Sequence, residues 1–145
     1  MRICNRVRVP HNALWLSYNL QMPHFLISFN DGDMRFSESE LPKVARAAHQ
    51  VMNDAIDAGV WVFGGGFEGY EPHVVTSDGS VHQRPLAFSD VHLGGFSIIN
   101  VATREEADIW AAKFASSCRC PQEVRQIMDD PEQVSAIAAK RISGN

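Results

Sequence analysis

The chain has 145 residues, of which 45% are hydrophobic and 21% charged, a composition that predicts one soluble globular domain. The formal net charge of −4 argues against nucleic acid as the main partner, because phosphate binding depends on clustered lysine and arginine. No apolar run approaches the roughly 18 residues that a membrane-spanning helix requires. The cysteines, Cys4, Cys118 and Cys120, lack the paired spacing of a disulfide scaffold, which predicts reduced thiols and a cytoplasmic protein.

Residues 1–21 show neither a helical nor a strand period, and Pro10 interrupts them. We therefore predict an N-terminal extension outside the core, followed by one domain over residues 22–128. The first strand of that domain is predicted at residues 24–30, where Phe25, Ile27 and Phe29 alternate with other side chains.

A helix is predicted next, from Ser39 to about residue 58. Pro42 must lie in its first turn, which favours a start at Ser39 over the alternative capping box of Ser37 and Glu40. Gly59 is the expected end of the helix. A second strand is predicted over residues 60–63, ended by a flexible bend at the three glycines 64–66.

Residues 73–83 predict a β-hairpin with Asp78-Gly79 at its tip. A turn at Gly94-Gly95 then precedes a strand over residues 96–101. Thr103 and Glu106 have the spacing of a capping box and predict the start of a second helix. The apolar face of this helix includes Trp110 and Phe114, which we expect in the core.

A last strand is predicted over residues 123–128. Asp130-Pro131 has the pattern of an N-cap followed by a first-turn proline, so residues 129–145 are predicted as a C-terminal helix and tail. This order of elements predicts an α+β fold, a ferredoxin-like antiparallel sheet with two helices on one face. The uncovered face of such a sheet is expected to be buried in a homodimer.

Several short motifs are similar to those of the YCII-related (DGPF) domain family, in order and at family spacing across residues 24–128. They are Ala48-His49, residues 57–59, Asp78-Gly79, residues 93–96 and residues 123–125. The resemblance implies a ferredoxin-like fold and dimeric α/β barrels, in a family mostly without assigned function. The stretch that replaces the family's Asp-Gly-Pro-Phe is residues 83–86, in which only Pro85 is retained.

His49 is the first candidate site residue, since it lies at the margin of the apolar stripe of its helix and histidine suits acid–base chemistry near neutral pH. The resemblance points to the same position. The alternative is a half-buried structural histidine. Further candidates surround the replaced motif, where Arg84 could hold a carboxylate; these ligand-binding candidates are His82, Arg84, Asp90 and His92.

Two functions are consistent with these residues. One is a ligand-binding or regulatory accessory that holds a small organic anion in a pocket between helix and sheet. The other is a cofactor-free enzyme of lyase or isomerase type with His49 as general acid/base. Loss of the family's acidic residue favours the first, because a lone histidine lacks the carboxylate that would orient it. No motif for a cofactor or a metal ion is present, so we expect neither.

Overall fold

The computed structural model describes residues 22–67, 72–83 and 92–143, with side chains described as far as residue 140. Within these ranges the fold is α+β, as predicted, with a four-stranded antiparallel sheet, a two-stranded hairpin and three α-helices. The elements in chain order are β1 (His24–Asn30), α1 (Leu41–Asp57), β2 (Trp61–Gly66), β3 (Val74–Val75), β4 (Val81–His82), β5 (Leu93–Asn100), α2 (Arg104–Cys118), β6 (Glu123–Gln126) and α3 (Pro131–Ser143).

The main sheet has the strand order β2-β5-β1-β6, and every neighbouring pair is antiparallel. This order is consistent with a ferredoxin-like arrangement. In the β1–β5 ladder Phe25 pairs with Ile99 and Leu26 pairs with Ile98. Because side chains alternate across a strand, Phe25 and Ile99 share one face of the sheet while Leu26 and Ile98 share the other.

The core lies on the face of the sheet that α1 and α2 cover. Its buried members are Phe25, Ile27, Ile99, Val101, Ala107, Ala111 and Phe114. Helix α1 contributes Val51 to the edge of this cluster, so both helices pack on the same face, as predicted. Phe114 is buried, whereas Trp110 is only partly buried and has the Lys113 ammonium 4.0 Å from its ring centroid.

The two helix starts differ in how well the sequence predicts them. Thr103 caps α2 as expected, because its Oγ1 accepts from the Glu106 amide at 3.2 Å. Helix α1 begins later than predicted, at Leu41, after a 3₁₀ turn over Glu38–Glu40. The capping box belongs to Ser37, whose amide donates to Glu40 Oε2 at 3.1 Å.

The predicted bend at residues 64–66 and the predicted turn at Gly94-Gly95 are both wrong. Strand β2 continues through Gly64, Gly65 and Gly66, and β5 begins at Leu93 and includes Gly94 and Gly95. Close packing explains Gly64 and Gly95. A Cβ on Gly64 would lie 2.5 Å from the Phe96 carbonyl oxygen, and one on Gly95 would lie 2.6 Å from the Phe29 ring.

The hairpin is confirmed, with Gly79 at a φ of +85° in its turn. The last strand is shorter than predicted and ends at Gln126, although the Ile127 amide still donates to the His24 carbonyl at 2.8 Å. Helix α3 begins at Pro131 as expected, and Asp130 Oδ1 accepts from the Gln133 amide at 3.0 Å.

Candidate functional site

His49 lies on the exposed side of α1, about 12 Å along the helix from its start at ~1.5 Å per residue. The inward side of α1 is marked by Val44 and Ala55, which are both buried. His49 follows Val44 by five positions, which turns it about 140° away from that line at ~100° per residue. Its imidazole is therefore directed to solvent.

Of the other predicted site residues, His82 and His92 are described, and they belong to different parts of the fold. His92 is exposed and directly precedes β5, at the end of the sheet where β1 stops. Its carbonyl accepts from the Asp31 amide at 2.8 Å. His82 is exposed on the hairpin, opposite Val74. Arg84 and Asp90 lie outside the described residues. Within the described ranges, no hydrogen bond or ion pair joins His49, His82 and His92 to one another.

The face of the sheet opposite α1 and α2, here called the open face, carries an aromatic cluster. Phe63 and Phe67 both pack against Phe96, with ring centroids 6.1 and 5.8 Å apart. Phe63 is nevertheless 63% exposed. Leu26 and Ile98 continue this apolar surface across the central strands.

A bulge in β2 places Phe63 on the open face. Trp61 pairs with Ile99 and packs towards Phe114, with ring centroids 6.1 Å apart, on the side of the helices. The ladder then shifts so that Phe63 pairs with Ile98. The extra residue reverses the alternation of side chains along β2. Trp61 and Phe63 therefore lie on opposite faces of the sheet.

At one end of the open face, α3 and the sheet enclose a groove with a volume of about 640 Å³. We call it the α3 groove. Its apolar lining includes Val62, Ile98, Ile127, Met128, Val134 and Ile137. Its ionisable lining residues in the described part of the chain are His24, Asp129 and Asp130. A groove of this size is within the range of small-molecule sites, about 300–1,000 Å³.

The α3 groove owes its shape to the short connection after β6. Asp130 caps α3 and Pro131 opens its first turn, so the helix begins almost at once and passes beside the sheet. Val134 and Ile137 line the groove from the helix, and Met128, at 90% exposure, stands at its edge. The sequence signal for this feature is the apolar pair Ile127-Met128, which continues past the end of the strand.

A buried amide lies at the same end of the sheet. Asn100 is 1% exposed, and its Nδ2 donates to the Met22 carbonyl at 2.8 Å and to the Pro23 carbonyl at 3.3 Å. Its Oδ1 has no hydrogen-bond partner among the residues that the structure describes. Asn100 thus fixes the start of β1, from which Met22 and His24 reach the groove.

Cys118 and Cys120 are free, buried thiols. Burial raises the pKa of both, that of Cys120 to about 11, which makes them poor nucleophiles and poor metal ligands. Across the described ranges, no group of three or more histidine, cysteine, aspartate or glutamate residues could hold a metal ion. None of the helices in those ranges is long and apolar enough to cross a membrane.

Comparison with known proteins adds no relative to these observations. No protein-family model matches the chain, and no curated protein has a significantly similar sequence.

Proposed function

We propose that this chain is a non-catalytic binding module of the YCII-related type, which forms a homodimer and holds a small organic ligand. The observation that carries the proposal is the open face, whose exposed Phe63 and Phe67 form one apolar surface with Phe96 and Ile98. An apolar surface of this kind is typical of an interaction site. Two copies that meet through their open faces would form the dimeric barrel that the family resemblance implies.

Binding is preferred to catalysis because of the surroundings of His49. A general base needs a positioned substrate and usually a group that orients its ring. His49 is exposed, and none of the described ion pairs involves it. A small organic anion stays the ligand that the sequence predicts for the segment around Arg84, Asp90 and His92.

Light scattering coupled to size-exclusion chromatography tests the dimer. We expect the wild-type chain at micromolar concentration to have twice the monomer mass of 16.1 kDa. Phe63→Asp should give a monomer, because the two-fold axis would bury two carboxylates in an apolar interface, at a cost of several kcal/mol.

Ile109→Asp is the matched control. Ile109 is 60% exposed, close to the exposure of Phe63, but it lies on α2, away from the open face. The control variant should remain a dimer. A monomeric wild-type chain, or equal disruption by both substitutions, would contradict the proposed interface.

A further inference from the structure

We propose that the α3 groove binds a small amphipathic organic cation, a molecule with an apolar body and one ammonium group. This inference goes beyond the proposed function, because it assigns to the α3 groove a ligand class that differs from the small organic anion predicted for the segment around Arg84.

The apolar body of the ligand is required by the walls of the groove. Ile98 and Val62 line it from the sheet, and Val134 and Ile137 line it from α3. In a single copy of the chain Val62 is about half exposed, so a ligand can reach this surface wherever the dimer interface leaves that end of the open face uncovered. The volume of about 640 Å³ is sufficient for a molecule larger than a single aromatic ring.

The ionisable groups that line the α3 groove favour a positively charged ligand. Two carboxylates, Asp129 and Asp130, lie together at the start of α3, and His24 is the third ionisable residue of the described lining, which contains no lysine or arginine. Asp130 already uses Oδ1 to cap α3. Asp129 is therefore the principal partner for an ammonium group, and an organic carboxylate would be repelled.

Three probes of equal apolar size separate the possible ligand charges: phenethylammonium, 2-phenylethanol and 3-phenylpropionate. The measurement is a titration of the full-length chain, followed by the NMR methyl signals of Ile98, Val134 and Ile137. We expect phenethylammonium to shift these signals with a dissociation constant at least about fivefold lower than those of the other two probes.

Substitutions then test the assigned partner. Asp129→Asn should weaken phenethylammonium binding about three- to fivefold, as expected for loss of a partly exposed ion pair. Asp108→Asn, which removes an exposed carboxylate on α2 outside the groove, should leave it unchanged. Asp130→Asn keeps a good capping residue and should have a smaller effect than Asp129→Asn.

Several results would overturn the proposal. Tighter binding of 3-phenylpropionate, or no effect of Asp129→Asn, would contradict a cation site. Val134 and Ile137 methyl shifts that depend on protein concentration and not on ligand would assign the α3 side of the groove to a second copy of the chain. Trp15 and Leu16 are large apolar residues of the N-terminal segment, residues 1–21. If the amine binds to the double variant Trp15→Ser, Leu16→Ser but not to the wild type, the groove is occupied by this segment. The dimer mass is measured separately, so a negative result of the ligand titration does not decide whether the chain forms the proposed dimer.

Discussion

Arg119 donates from Nη1 to Glu40 Oε1 at 2.7 Å, which connects the residue after α2 to the residue before α1. This hydrogen bond, followed by those from the Ser37 amide and hydroxyl and by the charge of Arg119, lowers the pKa of Glu40 from 4.5 to about 2. The ion pair thus bridges the two helices that cover the core.

The Glu40 carboxylate makes stability depend on pH in a defined window. A lowered native pKa means that its contribution is present above about pH 4.5 and is lost as the pH falls towards about 2. We expect Glu40→Gln to reduce the loss of stability across this window, as measured by urea unfolding at several pH values. Asp108→Asn is the control and should leave the wild-type slope; equal slopes for wild type and Glu40→Gln would show that the ion pair does not contribute.

Neighbouring glycines in β2 should respond very differently to alanine. A Cβ on Gly64 would lie 2.5 Å from the Phe96 carbonyl oxygen and 2.8 Å from the Ser97 Cα, and backbone atoms of a central strand cannot move away easily. We expect Gly64→Ala to lower the free energy of unfolding by about 1–3 kcal/mol. The new Cβ of Gly65→Ala meets no atom of the described part of the chain within 4 Å, so this variant should change the free energy of unfolding by less than about 0.5 kcal/mol.

These glycines show which part of the fold the sequence predicts and which part it does not. The existence and order of the main elements follow from local signals, such as the alternation of Phe25 and Ile27 or the cap at Thr103. Whether Gly64 or Gly95 ends a strand depends on what lies across the sheet, here the Phe96 backbone and the Phe29 ring. That information is not local, so the bends at both places were predicted wrongly.

The candidate site was less predictable than the fold for a similar reason. His49 is at the margin of an apolar stripe in sequence, and only the packing of Val44 and Ala55 shows that it is turned outwards. The α3 groove depends on where the C-terminal helix passes, which no local pattern specifies. Ile127 and Met128 could have suggested an apolar surface there, but not its partner.

The raised thiol pKa values predict slow alkylation in the native protein. With a pKa of about 11, the thiolate fraction of Cys120 near pH 8 is about 100-fold below that of an ordinary cysteine. Peptide mass spectrometry after iodoacetamide treatment should therefore show that Cys120 reacts at least about 100-fold faster in denaturant than in the native state. Comparable rates in the two states would mean that the thiol is accessible and ionised.

Asn100 should be important for the start of β1. Asn100→Ala removes the donor for the Met22 and Pro23 carbonyls and leaves a small cavity, so we expect a loss of about 1–3 kcal/mol in the free energy of unfolding. Asn53→Ala, at an exposed position of α1, should be neutral or slightly stabilising because alanine favours helix. Chemical denaturation measures both, and similar stabilities would show that the Asn100 hydrogen bonds are dispensable.

The most direct measurement of the central claim is an isotope-filtered NMR experiment on a mixture of labelled and unlabelled chains. If the open faces form the dimer interface, Phe63 and Phe96 ring protons of one copy will show contacts to Ile98 or Leu26 methyl protons of the other. Intermolecular contacts only from α1 or α2, or no intermolecular contacts at millimolar concentration, would contradict a dimer formed through the open faces.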